Sequence, residues 1–197
     1  MSMRGAERLD ESAKPALVTS ERLRQLCPGG KTAILSGLAA SFDEDARRNG
    51  LVTRLRLCHF LAQAAHETDG LRTLEEYGGA AYFRRYDGRR DLGNSKVGDG
   101  ARFHGRGIFQ LTGRFNYRHY GALIGLDLET QPERAAEPSI SLAVAFAYWR
   151  ARGIDAHADA DDIVAVTKAI NGGRNGLAQR RADLARAKAI FPHGLDG

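Results

Sequence analysis

Residues 59–70 read HFLAQAAHETDG. An alanine-rich apolar run ends abruptly on His66-Glu67, and Gly70 follows within a turn. Thr53 upstream is a good N-cap residue. Leu57, Phe60, Leu61, Ala64 and Ala65 recur at helical spacing and give a wide apolar face. A helix patterned for burial therefore finishes on a carboxylate beside an imidazole. A metal site, a catalytic acid and an ordinary polar terminus all produce such an ending.

The metal reading fails on spacing. His-Glu-x-x-His puts two imidazoles one turn apart on one helix face. Here Thr68, Asp69 and Gly70 follow the pair, and the second histidine is absent. The other histidines, at 59, 104, 119, 157 and 193, show no ligand spacing. His59 and His66 share a face at a separation that suits core packing. No metal and no cofactor is expected. No G-x-S-x-G elbow occurs. GRGIFQ, residues 105–110, has two of the three glycines of a dinucleotide fingerprint and no βαβ frame.

The bulk composition narrows the class. A chain of 197 residues with 43% apolar and 27% charged residues is long enough for one globular domain with a real core. No run approaches the ~18 apolar residues of a membrane span, so no stable membrane insertion is expected. Residues 1–18 read as a flexible N-terminal tail without the apolar centre of a signal peptide. Residues 19–197 read as a single domain. The net charge is +5 and the isoelectric point about 9.5. Only five of the 29 basic residues are lysine. That balance suits an anionic partner such as a cell envelope. With no RNP motif, zinc-finger spacing or basic run interleaved with aromatics, nucleic acid is not expected as a partner. Cys27 and Cys58 form no CxxC pair and read as two small buried thiols.

Helical patterns dominate the rest. Thr19 opens a short helix through Leu26, and Pro28-Gly29-Gly30 stops it. Residues 31–49 carry one apolar stripe from Ile34 to Phe42 and read as one helix. Helices are also expected over 116–124, over SLAVAFAYWRAR (141–152) with Ser139 as cap, over DIVAVTKAIN with Asp161 as cap, and over 177–191. Between Gly70 and Gly113 the pattern breaks into a long glycine-rich, polar segment, with short strands near Phe103 or over 108–111. Such a segment inside a compact domain is usually functional.

The carboxylates remain. Glu67 stands at a helix C-terminus, whose dipole and partial burial both make a carboxylate harder to ionise. A general acid near neutral pH needs that. A glycosidase needs a second carboxylate across the scissile bond. Glu75 and Glu76 follow on the far side of Gly70, which lets the chain fold back. Asp69, Asp87, Asp91 and Asp99 are rivals for the same role.

Three blocks then converge. FLAQAAHETDGL (60–71), HGRGIFQLTGRFNYRHYG (104–121) and INGGRNGLAQR (170–180) resemble, in order, blocks of glycoside hydrolase family 19. YDGRRDLGNSKVGDGARFHGRG (86–107) looks like that family's compact bacterial and phage endolysin branch. The resemblance covers residues 19–192. It implies a lysozyme-like, mainly α (α+β) fold of two lobes with a deep cleft, and hydrolysis of β-1,4 links beside N-acetylated amino sugars with inversion. By the same resemblance Glu67 matches the general acid and Glu76 the second catalytic glutamate, with Glu75 its nearest competitor. Thr112 matches a residue that holds the attacking water. Gln110, Asn116 and Asn171 match sugar-binding residues, and Phe115 stands where the family often has Tyr. Tyr117 offers a stacking face or hydroxyl, and Arg180 matches an arginine near the catalytic carboxylates.

The expected substrate is a polymer containing N-acetylglucosamine. Peptidoglycan is favoured over chitin, because the chain is compact, basic and without a chitin-binding module. A catalytically inactive glycan-binding module is the alternative from another class. The protein is expected to act as a monomer. It would be made in the cytoplasm without a signal peptide and reach the wall, periplasmic or extracellular, through a holin or a secretion machine.

Overall fold

The computed structural model describes residues 15–196. Capping side chains set the starts of two of the first four helices. Thr19 accepts from the Arg22 N–H and opens α1 (Ser20–Leu26). Next come α2 (Thr32–Ala39) and α3 (Phe42–Arg48). Thr53 accepts from the Arg56 N–H and opens α4 (Arg54–Glu67). Two short helices, α5 (Ala80–Phe83) and α6 (Asp99–Arg102), lie in the glycine-rich segment. Then follow α7 (Arg114–Leu123), α8 (Pro138–Ala151), α9 (Ile154–Asp159), α10 (Ile163–Asn171) and α11 (Leu177–Ile190). No helix among the described residues is long and apolar enough to cross a membrane.

Helix α4 is the axis of the larger lobe. Every residue from Leu57 to Ala65 is buried. Phe60 lies tilted against Phe146 at 4.8 Å and meets Trp149 and Phe109 edge-on at 5.5 Å. Burying a side chain of this size stabilises by about 1.5–3 kcal/mol. A second, smaller core gathers Phe103, Leu111, Tyr117, Tyr120, Leu128, Ala135, Ile140 and Val144. Tyr148 on α8 packs against both cores, so the two lobes share one helix as their joint.

Several sequence expectations are corrected. The helix over 31–49 is two helices, broken at Ser41. The break turns Phe42 into the core against Phe60 and Phe146 and lets Asp43 accept the Leu17 and Val18 N–H groups. Leu17 and Val18 are buried, so the N-terminal tail ends before residue 18. Residues 1–14 lie outside the described residues. Helix α8 starts at Pro138, the favoured residue at a first helical position, so Ser139 is inside it. Asp162, not Asp161, caps α10. Asp161 instead binds His59 Nε2 at 2.8 Å and Lys188. The strands reduce to two isolated bridges, Glu75 with Arg106 and Arg106 with Leu111. Helix α9 had no expectation at all.

The glycine-rich segment is held by polar anchors as well as by the core residues at its two ends, Leu71 and Leu74 on one side and Phe103, Ile108 and Leu111 on the other. Buried Asn94 donates to the Tyr86 carbonyl and accepts the Arg114 N–H. Asp99 accepts from the Ser95 and Lys96 N–H groups and pairs with Arg114. Asp87 accepts from Gly98 and Gly100. These bonds replace the backbone pairing that regular structure would supply.

Candidate active site

Glu67 is the last residue of α4, and its side chain is 19% exposed. Arg180 on α11 donates to its Oε1 at 2.5 Å. The same guanidinium donates to Gln63 Oε1 and to the Asn175 carbonyl. Gln63 stands one turn before Glu67 on the same helix face. Its amide donates to Thr167 on α10, so three helices hold the Arg180 fork in place. No other hydrogen bond to the Glu67 carboxylate occurs among the described residues, which leaves Oε2 free for a substrate oxygen. His66, the neighbour, packs against Gly176 at the start of α11. Burial and then the Arg180 charge hold the His66 imidazole below its ordinary value.

Glu76 lies past the left-handed turn at Asp69, Gly70 and Leu71. Its backbone N–H bonds to the Gly105 carbonyl at 2.8 Å. Its carboxylate accepts three donors: Arg85 at 2.7 Å and the Tyr86 hydroxyl at 2.9 Å on Oε1, and the Gly105 N–H at 3.0 Å on Oε2. Burial raises the Tyr86 hydroxyl, which keeps it a donor. Arg85 is itself gripped between the Tyr82 and Tyr86 rings, 3.6 and 4.6 Å from their centres. Glu75 goes the other way. Neighbouring side chains on an extended segment point to opposite faces, and Glu75 pairs with Arg106 and approaches His104. A hydrogen bond of 3.2 Å from the Tyr77 hydroxyl to Asp69 ties the Glu76 segment back to the end of α4.

Gln110, Thr112, Asn116 and Asn171 come together on one cleft of about 520 Å³, with Phe109, Tyr148, Arg152 and Ile170. Gln110 is strained, with φ +50°, a conformation that costs a non-glycine residue energy and clusters at functional sites. Its amide donates to the Gly107 carbonyl. Thr112 donates to the Gln110 carbonyl at 2.8 Å, and Asn116 to the Thr112 carbonyl at 2.7 Å. Asn171 spans the turn after α10, accepting from Gly173 and donating to Asn175. Neither carboxylate lines this cleft itself, but each stands near a residue that does. A Cβ on Gly105 would lie 2.7 Å from Gln110 Oε1 and 3.2 Å from Glu76 Oε2, so Gln110 and Glu76 meet over that glycine. On the other side, burial raises the Tyr148 hydroxyl and the Glu67 charge adds to the rise.

Two expected contacts are corrected. Tyr117 is fully buried in the smaller core. Its hydroxyl donates to the His104 carbonyl and accepts from Arg106, so it has no face to stack on a sugar. Arg180 is also buried, at 2%. It reaches Glu67 rather than a ligand, which fits the arginine near the carboxylates but not a substrate contact. Gln63, Arg85, Tyr86, Tyr148 and Arg152 were missed. Only Gln63 carried a signal, its place one turn before Glu67.

Paired glutamates beside an amide-lined cleft, on a two-lobed helical fold, define the class: a lysozyme-like glycoside hydrolase. Comparison with known proteins gives the family. Residues 31–175 match the model of glycoside hydrolase family 19, the class I chitinases, and the chain belongs to that family. A glycosyl hydrolase family 19 domain-containing protein of Haemophilus influenzae is 27% identical over 174 residues, spanning 74% of this chain and 85% of its own. Endochitinase 1 of Theobroma cacao is 33% identical over 162 residues, or 71% of this chain and 50% of that one. The chain thus matches about half the length of that plant relative. Chitinase C from Streptomyces griseus superposes with a TM-score of 0.70 over 92% of this chain and 95% of its own, at 20% identity, a likeness of fold.

Proposed function

We propose that this glycoside hydrolase cleaves β-1,4 links of an N-acetylglucosamine-containing polymer with inversion. Glu67 protonates the leaving oxygen. Glu76 takes a proton from a water that Thr112 steadies, and the water attacks the anomeric carbon from the opposite face. The contrast between the two carboxylates carries this reading. Three donors converge on Glu76, which suits the acceptor-only form that a base needs. Glu67 keeps one oxygen free of protein donors. Gln110, Asn116 and Asn171 offer amides to acetamido and hydroxyl groups. Thr112 spends its proton on the Gln110 carbonyl and keeps lone pairs for a water.

For the polymer we favour peptidoglycan, supported by the +5 net charge against an anionic wall. On that reading the protein works at the cell wall after release from the cytoplasm. Chitin is the second reading, favoured by the relatives named endochitinases and chitinase.

The deciding assay sets purified peptidoglycan beside chitin oligosaccharides, with products identified by mass and anomer. Glu67→Gln should cut turnover about 10²–10⁴-fold while oligosaccharide binding persists. Products should first appear as α-anomers. A β-anomer removes the inverting mechanism. Binding without turnover by the unaltered protein makes it a glycan-binding module instead.

A further inference from the structure

A second concavity, of about 430 Å³, lies at the C-terminal end of α4. His66, Asp69, Arg72, Gln179, Asp183 and Arg186 line it. It shares none of its lining with the amide cleft. It nevertheless touches both carboxylate-bearing segments. His66 precedes Glu67 in the chain. Asp69 accepts from the hydroxyl of Tyr77, the residue after Glu76.

The chemistry of the two concavities differs. The amide cleft presents Gln110, Thr112, Asn116 and Asn171, with Arg152 as its one charged side chain. The second concavity is charged. Arg72, Asp69 and Arg186 keep side-chain exposures of 55%, 52% and 43%. Their internal pairs are loose: Arg72 to Asp69 at 3.3 Å and Arg186 to Asp183 at 3.2 Å. Arg186 also donates to the Leu26 carbonyl and Asp183 is buried, so these two have structural work, as Asp69 has through Tyr77. Arg72 differs: its one side-chain partner among the described residues is the exposed Asp69, a pair of a kind that adds little to stability. Cys27 also borders the concavity. Burial pushes its thiol up to about 12, so it offers no nucleophile there.

A plain N-acetylglucosamine chain carries no charge and offers these groups hydrogen bonds but no ion pair. Peptidoglycan differs by the short peptides on its muramic acid units, which bring carboxylates and amines beside the glycan. We propose that this concavity binds the stem peptide of the wall polymer. The inference rests on the peptidoglycan reading and deepens it. Arg72 presents a planar fork to a peptide carboxylate, and Asp69 an acceptor to a peptide ammonium. A muramyl unit seated at Glu67 carries its peptide past His66 into the charged pocket.

The test uses three substrates: peptidoglycan strands with stems, the same strands stripped of stems by an amidase, and chitin oligosaccharides. The full chain is compared with Arg72→Ala, Arg72→Glu and Arg72→Lys, each checked for an unchanged melting temperature. Losing an arginine–carboxylate contact costs on the order of tenfold or more in binding. The unaltered protein should therefore prefer stem-bearing strands by about tenfold in kcat/KM. Arg72→Ala and Arg72→Glu should abolish that preference and leave stripped strands and chitin oligosaccharides unchanged. Arg72→Lys should recover part of it. Equal rates on stem-bearing and stripped strands, or a preference that survives both Arg72→Ala and Arg72→Glu, overturn the stem site alone. Cleavage of chitin oligosaccharides with both wall polymers resistant overturns the peptidoglycan reading, and the stem site with it. Failure on all three overturns the hydrolytic proposal and both inferences built on it.

Discussion

At the scale of single residues, Arg180 shows what position in the chain conceals. Its block pointed to the catalytic neighbourhood, but its partner lies 113 residues away. With 2% exposure it acts on substrate only through Glu67. Removing it leaves Gln63 and Glu67 facing an empty, buried slot. Loss of one partner of a buried ion pair costs about 3–5 kcal/mol. Arg180→Ala should therefore lower the unfolding free energy measured in urea by up to that order, shifting the midpoint down, and reduce kcat more than it raises KM. Arg180→Lys keeps the charge but loses the fork, so it should recover stability more than activity. A midpoint unchanged in Arg180→Ala would remove the pair from the structural account. Tyr117 teaches the same lesson in reverse. Its ring and hydroxyl are well suited to a sugar, but its place on the inner face of α7 commits both to the core.

Elements decide where the carboxylates go. Gly70 and the left-handed residues on either side of it end α4, and the extended bridge after them separates Glu75 from Glu76. The glycine-rich pattern announced an irregular segment. The alternation of side chains along the bridge depends on its pairing with Arg106, a long-range contact with no local signature. Gly176 makes a comparable demand at the start of α11. Its φ is +69° and a Cβ there would lie 2.2 Å from the His66 ring. Gly172 has a similar φ of +75° with nothing within 4 Å. The left-handed backbone alone costs about 1–2 kcal/mol in a substituted residue. Gly172→Ala should lose that much, measured by thermal or urea unfolding. Gly176→Ala should lose more and also reduce turnover, because His66 cannot keep its place beside Glu67. Equal losses for the two variants would mean that His66 yields freely.

For the molecule as a whole, stability should fall in two stages as the solution is acidified. Burial holds His59 and His66 below the ordinary histidine value of 6.5. The unfolded chain then takes up protons near pH 6.5 that the folded chain refuses, so stability is full above 6.5 and declines below it. The second stage belongs to carboxylates. The Arg118 and Arg114 guanidiniums hold Glu129 at about 2, from an ordinary 4.5. At Asp99 burial raises the value, but Arg114 and two backbone N–H groups outweigh it and leave it depressed. Their contributions are present above pH 4.5 and are lost as the pH falls through the folded values. Unfolding free energy measured from pH 8 to pH 3 should show both declines. A flat profile between 7 and 5 would count against the histidine stage.

The sequence by itself determined the family, the mainly helical class and the starts of α1, α4 and α11, and it named Glu67 and Glu76 as candidates. Capping residues, apolar spacing and short ordered motifs are local properties, and each is written into contiguous residues. Only the tertiary structure decided what each carboxylate faces. The Arg180 fork on Glu67, the three donors on Glu76, the burial of Tyr117 and the break at Ser41 all depend on groups far apart in the chain. Packing and long-range hydrogen bonds select those partners, and neither has a period or a motif that a linear reading can follow.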